Sequence, residues 1–68
     1  MVFKKVTLIG SSTESLEAAV DDAIDRAEVT IEDIHWAEVN NFGVEVASVD
    51  DREYQAEVEI AFKVQDQD

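Results

Sequence analysis

Apolar residues recur along this chain with two different periods, and those periods divide it into four elements. Residues 2–9 are rich in β-branched and apolar side chains and stop at Gly10-Ser11-Ser12, which predicts a first strand closed by a turn. Val6 and Leu8 share one face of that strand and Phe3 and Ile9 the other. Both faces are therefore apolar, as in a strand covered on two sides, one of them by another subunit. Lys4 and Lys5 read as solvated positions of this strand rather than ligands. Leu16, Val20, Ala23, Ile24 and Ala27 then fall at helical spacing, while Glu14, Glu17, Asp21, Asp25 and Glu28 form a separate acidic stripe. Ser11-Ser12-Thr13-Glu14 predicts the helix opening, with a hydroxyl accepting from an orphan amide and Glu14 reaching back in a capping box. Asp22 and Arg26 stand four apart and are placed to pair on the helix surface. The helix is expected to run out near Thr30, where β-branched residues accumulate.

The second strand, residues 34–46, contains a change of phase. Ala37 and Val39 share one parity, but Phe42, Val44 and Val46 share the other. If both sets face the helix, one extra residue near Asn40-Asn41 must shift the register, and a β-bulge does this. The opposite face then carries Trp36 and Glu38 before the bulge and Asn41, Gly43 and Glu45 after it, which predicts that Trp36 lies off the monomer core. His35, of opposite parity, is expected on the helix side or at a subunit contact. Residues 47–52 read as a hairpin connection into a third strand from Glu53 to about Gln65, and residues 65–68 as a frayed tail. In that strand Tyr54, Ala56, Val58, Ile60, Phe62 and Val64 alternate with Glu53, Gln55, Glu57, Glu59, Ala61 and Lys63. Gln55 and Lys63 consequently share the Trp36 side.

Size and charge narrow what such a fold can do. A single domain of 68 residues, here the whole of residues 1–68, buries only ~60% of the surface its unfolded chain exposes. There is no Cys to supply a disulfide or thiolate staple, so oligomerisation is the expected source of further stability. Seventeen Asp and Glu against five Lys and Arg give a net charge of -12, which repels phosphate backbones and anionic membranes. Neither nucleic acid nor a membrane is an expected partner. No apolar run approaches the ~20 residues of a membrane span and no signal-type start is present, so a cytoplasmic location is expected. Acidity of this kind suits a high-salt cytoplasm, where screening weakens carboxylate repulsion. The acidic helix stripe reads as a solvated face rather than a divalent-metal cage.

The candidate chemistry sits on the Trp36 face. On position alone Trp36 is an oligomer-interface aromatic or a ligand platform, and Gln55 is an exposed strand residue or a donor–acceptor pair for a ligand edge. One His and no thiol assemble neither a metal centre nor a Ser/His/Asp or Cys/His constellation, so nothing in the chain supports hydrolytic or nucleophilic catalysis.

Phe3-Lys4-Lys5-Val6, Gly10-Ser11-Ser12, Asp21-Asp22-Ala23-Ile24-Asp25-Arg26-Ala27-Glu28, Trp36-Ala37-Glu38-Val39, Tyr54-Gln55, Glu57-Val58 and Ala61-Phe62 together make a pattern that spans nearly the whole chain. Through these residues the chain resembles the dodecin family, and within it the halophilic archaeal type. The resemblance implies an α+β subunit of β-α-β-β order, a three-stranded antiparallel sheet wrapped around one helix, assembled into a hollow dodecameric shell. The implied function is flavin storage and sequestration without turnover, with paired isoalloxazine rings stacked between Trp residues of symmetry-related subunits. By that resemblance Trp36 stacks on the ring, Gln55 hydrogen-bonds its pyrimidine edge, and Glu45 either accepts from ribityl hydroxyls or is simply solvated. Lys63 departs from the archaeal pattern. Bacterial members commonly place an Arg there against phosphate, so Lys63 is either a phosphate contact, with Glu57 and Glu59 on the same face competing for its charge, or a plain surface lysine. Riboflavin is the implied cofactor, with FMN, FAD and lumichrome as further candidates. A flavin-dependent redox enzyme and an acidic structural or ion-buffering shell are the alternatives.

Overall fold

In the computed structural model, which describes residues 1–46 and 50–64, three long strands form one antiparallel sheet and a single helix packs on one of its faces. The elements are β1 (Phe3–Ser12), α1 (Leu16–Thr30), β2 (Ile34–Glu45) and β3 (Glu53–Lys63). The expected β-α-β-β order is therefore present, and the strand order β1-β3-β2 puts β3 in the middle. That placement explains why β3 carries the most regular alternation: both its edges are paired and the middle of one face is buried. Ala56, Val58 and Ile60 are buried in it, against Ala19, Ala23 and Ala27 of the helix.

The helix approaches the sheet along a row of alanines rather than along its larger apolar residues. Val20 and Ile24 flank that row and are only partly buried, and Ala19, which the expected stripe of Leu16, Val20, Ala23, Ile24 and Ala27 omitted, joins Ala23 and Ala27 in the core. Small side chains allow this closeness, and Gly10 of β1 demands it. A Cβ on Gly10 would lie 2.1 Å from the Ala19 carbonyl oxygen and 2.7 Å from the Ala23 nitrogen. Gly10 is thus a buried residue inside β1, and the strand runs on to Ser12 instead of turning at Gly10.

The helix start is corrected accordingly. Ser15 is the N-cap, its Oγ accepting the Ala18 N–H at 3.0 Å, while Ser12 Oγ accepts the Glu14 N–H at 3.0 Å. Glu14 precedes the cap and closes no capping box. Asp22 does not pair with Arg26; its Oδ2 accepts the Ser11 N–H at 3.0 Å and ties the end of β1 to the helix. At the other end the Ile31 N–H donates to the Ala27 carbonyl at 2.8 Å, and Asp33, with φ of 59°, turns the chain into β2.

The expected bulge is present as a register shift between Val39 and Asn41. Before it Ala37 and Val39 oppose Ile60 and Val58; after it Phe42 and Val44 oppose Ala56 and Tyr54. Both sets thus lie on the helix side, as the phase change requires. The helix nevertheless stops short of them. Val39, Phe42 and Val44 are 42%, 56% and 44% exposed on the outer strand. The apolar side of this stretch therefore faces as expected but is left open by the helix. Residues 47–49 and 65–68, which bear part of the expected connection and the whole expected tail, lie outside the described residues.

Candidate functional site

The face turned away from the helix is set by strand register. Across it Lys5 and Trp36 both oppose Ala61, Glu38 and Thr7 oppose Glu59, and Gly43 and Ser11 oppose Gln55. Phe3 opposes Lys63 on β1, and Glu45 opposes Glu53 on β2. All four residues singled out in the sequence, Trp36, Gln55, Glu45 and Lys63, therefore share this face.

They do not share one place on it. Trp36 stands opposite Ala61 and Gly43 opposite Gln55, a separation of six residues along β3, or roughly 20 Å at ~3.3 Å per residue. Trp36 and Lys63 lie toward one end of the sheet and Gln55 and Glu45 toward the other. The Gln55 amide lies over bare backbone, since a Cβ on Gly43 would be 3.7 Å from Gln55 Oε1. Lys63 lines an open groove of about 940 Å³ beside the end of the helix, with Lys4, Glu28, Asp33 and Phe62 among its walls.

Around Trp36 the side chains of the two outer strands meet above the central one. Neighbouring strands are ~4.8 Å apart, so β1 and β2 lie ~10 Å from each other across β3. Contact over that gap needs long side chains outside and a small one beneath. Ala61 is the small one, and it is fully buried although it lies on the face the helix does not cover. Above it the Phe3 ring stands edge-on to Trp36, centroids 5.0 Å apart and planes at 64°. Lys5 Nζ reaches Glu38 Oε2 at 2.8 Å and Glu59 Oε1 at 4.0 Å. The same Glu38 oxygen accepts the Trp36 indole N–H at 2.8 Å. The Lys5 ammonium, with a smaller contribution from the indole N–H, holds the Glu38 carboxyl below the usual carboxylate range. The hydrogen bond with Glu38 in turn raises Lys5.

Sequence reasoning missed Lys5, Glu38 and Phe3 as parts of this assembly, and read Lys5 as merely solvated. A signal existed: Ala61 breaks the run of polar residues on its face of β3, and Lys5 and Glu38 have the parity of that face. Glu59 lies with Lys5 rather than with Lys63. Of the two positions expected for His35, the helix side or a subunit contact, the first is not found. A second register shift between Ile34 and Trp36 places its ring edge-on to Phe3 at 5.1 Å, not toward the helix.

Trp36 itself is 41% exposed, an amount consistent with a ring that has one surface free for a partner. Among the described residues no group of three or more His, Cys, Asp or Glu is placed to hold a metal ion. No helix among them is long and apolar enough to cross a membrane.

Comparison with known proteins points in one direction. The family model for dodecin matches residues 2–65. A dodecin of Thermus thermophilus is 37% identical over 65 residues, covering 96% of this chain and 94% of that protein. A protein of Mycobacterium tuberculosis named calcium dodecin is 33% identical over 63 residues, covering 93% of this chain and 89% of that one. The crystal structure of a T. thermophilus protein superposes with a TM-score of 0.87 at 36% identity, covering 97% of both chains. On the strength of a family match along nearly its whole length and a fold shared with that structure, the chain belongs to the dodecin family.

Proposed function

We propose that this chain assembles into a dodecameric shell that binds and sequesters a flavin between its copies, riboflavin first among the candidates, without turning it over. One observation carries the reading. The chain's one Trp stands part-exposed on the face the helix leaves bare, while the Gln55 amide on that same face is roughly 20 Å away. A single copy cannot bring both to one ring; neighbouring copies can. Membership of the dodecin family supports an assembly that does so.

The residues fit a flavin in kind. A flat, electron-poor ring stacks on an indole with ~0.5–1.5 kcal/mol beyond its burial. The Gln55 amide offers one donor and one acceptor to the imide edge, and Glu45 accepts from ribityl hydroxyls. Lys63 meets a phosphate where FMN or FAD is the ligand. When bound, a flavin would supply a light-absorbing ring; after excitation it could accept an electron from a stacked indole and return it, which would quench its fluorescence and leave both groups in their starting oxidation states.

The test is to identify the yellow ligand that copurifies and then to titrate riboflavin with ligand-free protein. Quenching by the native chain that is lost in Trp36→Ala and weakened in Gln55→Ala is the expected result. Absence of quenching by the native chain, or undiminished affinity in Trp36→Ala, refutes the reading. A shell that assembles but binds no flavin would favour an ion-buffering role, which the net charge of -12 also suits.

A further inference from the structure

The geometry points to Glu38, held in place by Lys5, as a positioning residue that fixes the plane of the Trp36 indole before any ligand arrives. Where the ligand is concerned the inference rests on the flavin reading above; its geometry is that of the chain alone. Two donors converge on one atom, since Glu38 Oε2 accepts both the indole N–H and the Lys5 ammonium at 2.8 Å. The indole N–H lies in the ring plane, so an acceptor at that distance removes rotation about the bond that joins ring to chain. Phe3 limits the same ring from the β1 side.

An unsupported side chain this exposed would sample several rotamers, and stacking would have to order it. A ring already held in one orientation lowers that ordering cost and binds more tightly for the same contacts. Lys5 makes the arrangement a property of the sheet rather than of β2. It arrives from β1, across Ala61 of β3, and fixes which Glu38 rotamer is available to Trp36.

The charged groups facing Glu38 give the arrangement a pH dependence. Lys5 faces it from β1 and Glu59 from β3; the helix packs on the opposite side of the sheet and contributes none. Lys5 is the larger influence lowering the Glu38 carboxyl and the indole N–H the smaller. A carboxyl held low keeps its charge as pH falls through the ordinary glutamate range. The tie to Trp36 is then present at and above that range and is lost only as pH drops through the lowered value. Removing Lys5 removes the main lowering influence, so the loss must move to higher pH.

Because the chain has a single Trp, indole fluorescence reports this site without labelling. The experiment compares the assembled native protein with Lys5→Met and Glu38→Gln, over the pH interval in which circular dichroism and sedimentation show all three folded and assembled. Ligand-free protein is read by indole anisotropy and emission against pH, and loaded protein by riboflavin affinity. The native chain is expected to hold high anisotropy down to an acid edge below the usual carboxylate range. Lys5→Met should move that edge upward, and Glu38→Gln should lower the anisotropy and remove the edge. Both variants should bind riboflavin roughly two- to fivefold more weakly, the scale of an exposed charged contact. Identical anisotropy and identical acid edges in the three proteins would overturn the inference. Failure of the native chain to quench riboflavin would overturn the flavin reading instead, and the ligand-free anisotropy profile would still decide the role of Glu38.

Discussion

Replacing Gly10 by Ala adds one methyl group, and its cost can be worked out from the contact the glycine makes. The added Cβ would sit 2.1 Å from the Ala19 oxygen, 2.7 Å from the Ala23 nitrogen and 2.9 Å from the Ala23 Cβ, where real Cβ atoms essentially never come closer than 3.0 Å. Two of those three neighbours are helix backbone, which cannot rotate away as a side chain can. The helix must therefore retreat by at least 0.9 Å, the difference between 3.0 and 2.1 Å. A gap of 0.5–1 Å forfeits roughly a quarter to a half of a van der Waals contact, and the whole alanine row against Ala56, Val58 and Ile60 would feel it. Overpacking of this kind costs about 1–3 kcal/mol, and the backbone position of the clash puts Gly10→Ala toward the upper end.

Gly10 has no left-handed φ, so Ala is not disfavoured there by conformation; chain entropy alone would make the change stabilising by ~0.4–1 kcal/mol. The two effects have opposite signs, and the steric one should win. Gly43→Ala is the matched control: same substitution, same sheet, nearest atom the Gln55 Oε1 at an ordinary 3.7 Å. The assay is denaturant unfolding at one fixed protein concentration, because assembly makes apparent stability depend on concentration. Gly10→Ala should be destabilised by about 2–3 kcal/mol and Gly43→Ala should stay within ~0.5 kcal/mol of the native chain. A Gly10→Ala protein as stable as the native one, or a Gly43→Ala protein equally damaged, would refute the close-packing argument.

Two other perturbations address the Trp36 face. Deleting Asn40 removes the residue that shifts register between Val39 and Asn41, so one half of β2 must present its wrong face to the core. Such a chain should fail to assemble in sedimentation, whereas Asn40→Ala, which keeps the residue count, should assemble normally. Ala61→Leu places a large side chain beneath the Phe3, Lys5, Trp36 and Glu38 contacts and should cost about 1–3 kcal/mol while shifting the indole emission toward that of a solvated Trp. An unchanged emission spectrum would mean that Ala61 is not the floor of the site.

Much of this was legible because strand parity is a strict code. The phase change between Val39 and Phe42 located the bulge, and with it the side of the sheet on which Trp36 and Gln55 lie. The alternation in β3 was equally clear, since a central strand with one buried face tolerates no polar residue on it. What escaped detection depends on distances that parity does not encode. Gly10 and Ser11 form a common turn signal, and only the approach of Ala19 and Ala23 shows that Gly10 is needed inside a strand. Ser11-Ser12-Thr13-Glu14 carries a capping pattern, and only the extension of β1 to Ser12 shows that the cap is Ser15 instead. The second shift at His35 has no sequence mark of its own. Lys5 and Glu38 meet across a strand that separates them, which no local spacing reveals. The roughly 20 Å between Trp36 and Gln55 likewise became visible only when the register was known.

That separation leads to the most direct measurement: sedimentation of the protein with riboflavin, followed at once in protein absorbance and in flavin visible absorbance, under conditions where assembled and dissociated chains coexist. If the ligand lies between copies, flavin absorbance will move with the assembly, saturate at a fixed ratio of flavin to chain, and be missing from the dissociated species. Flavin travelling with single chains as readily as with the assembly would contradict a site built between subunits.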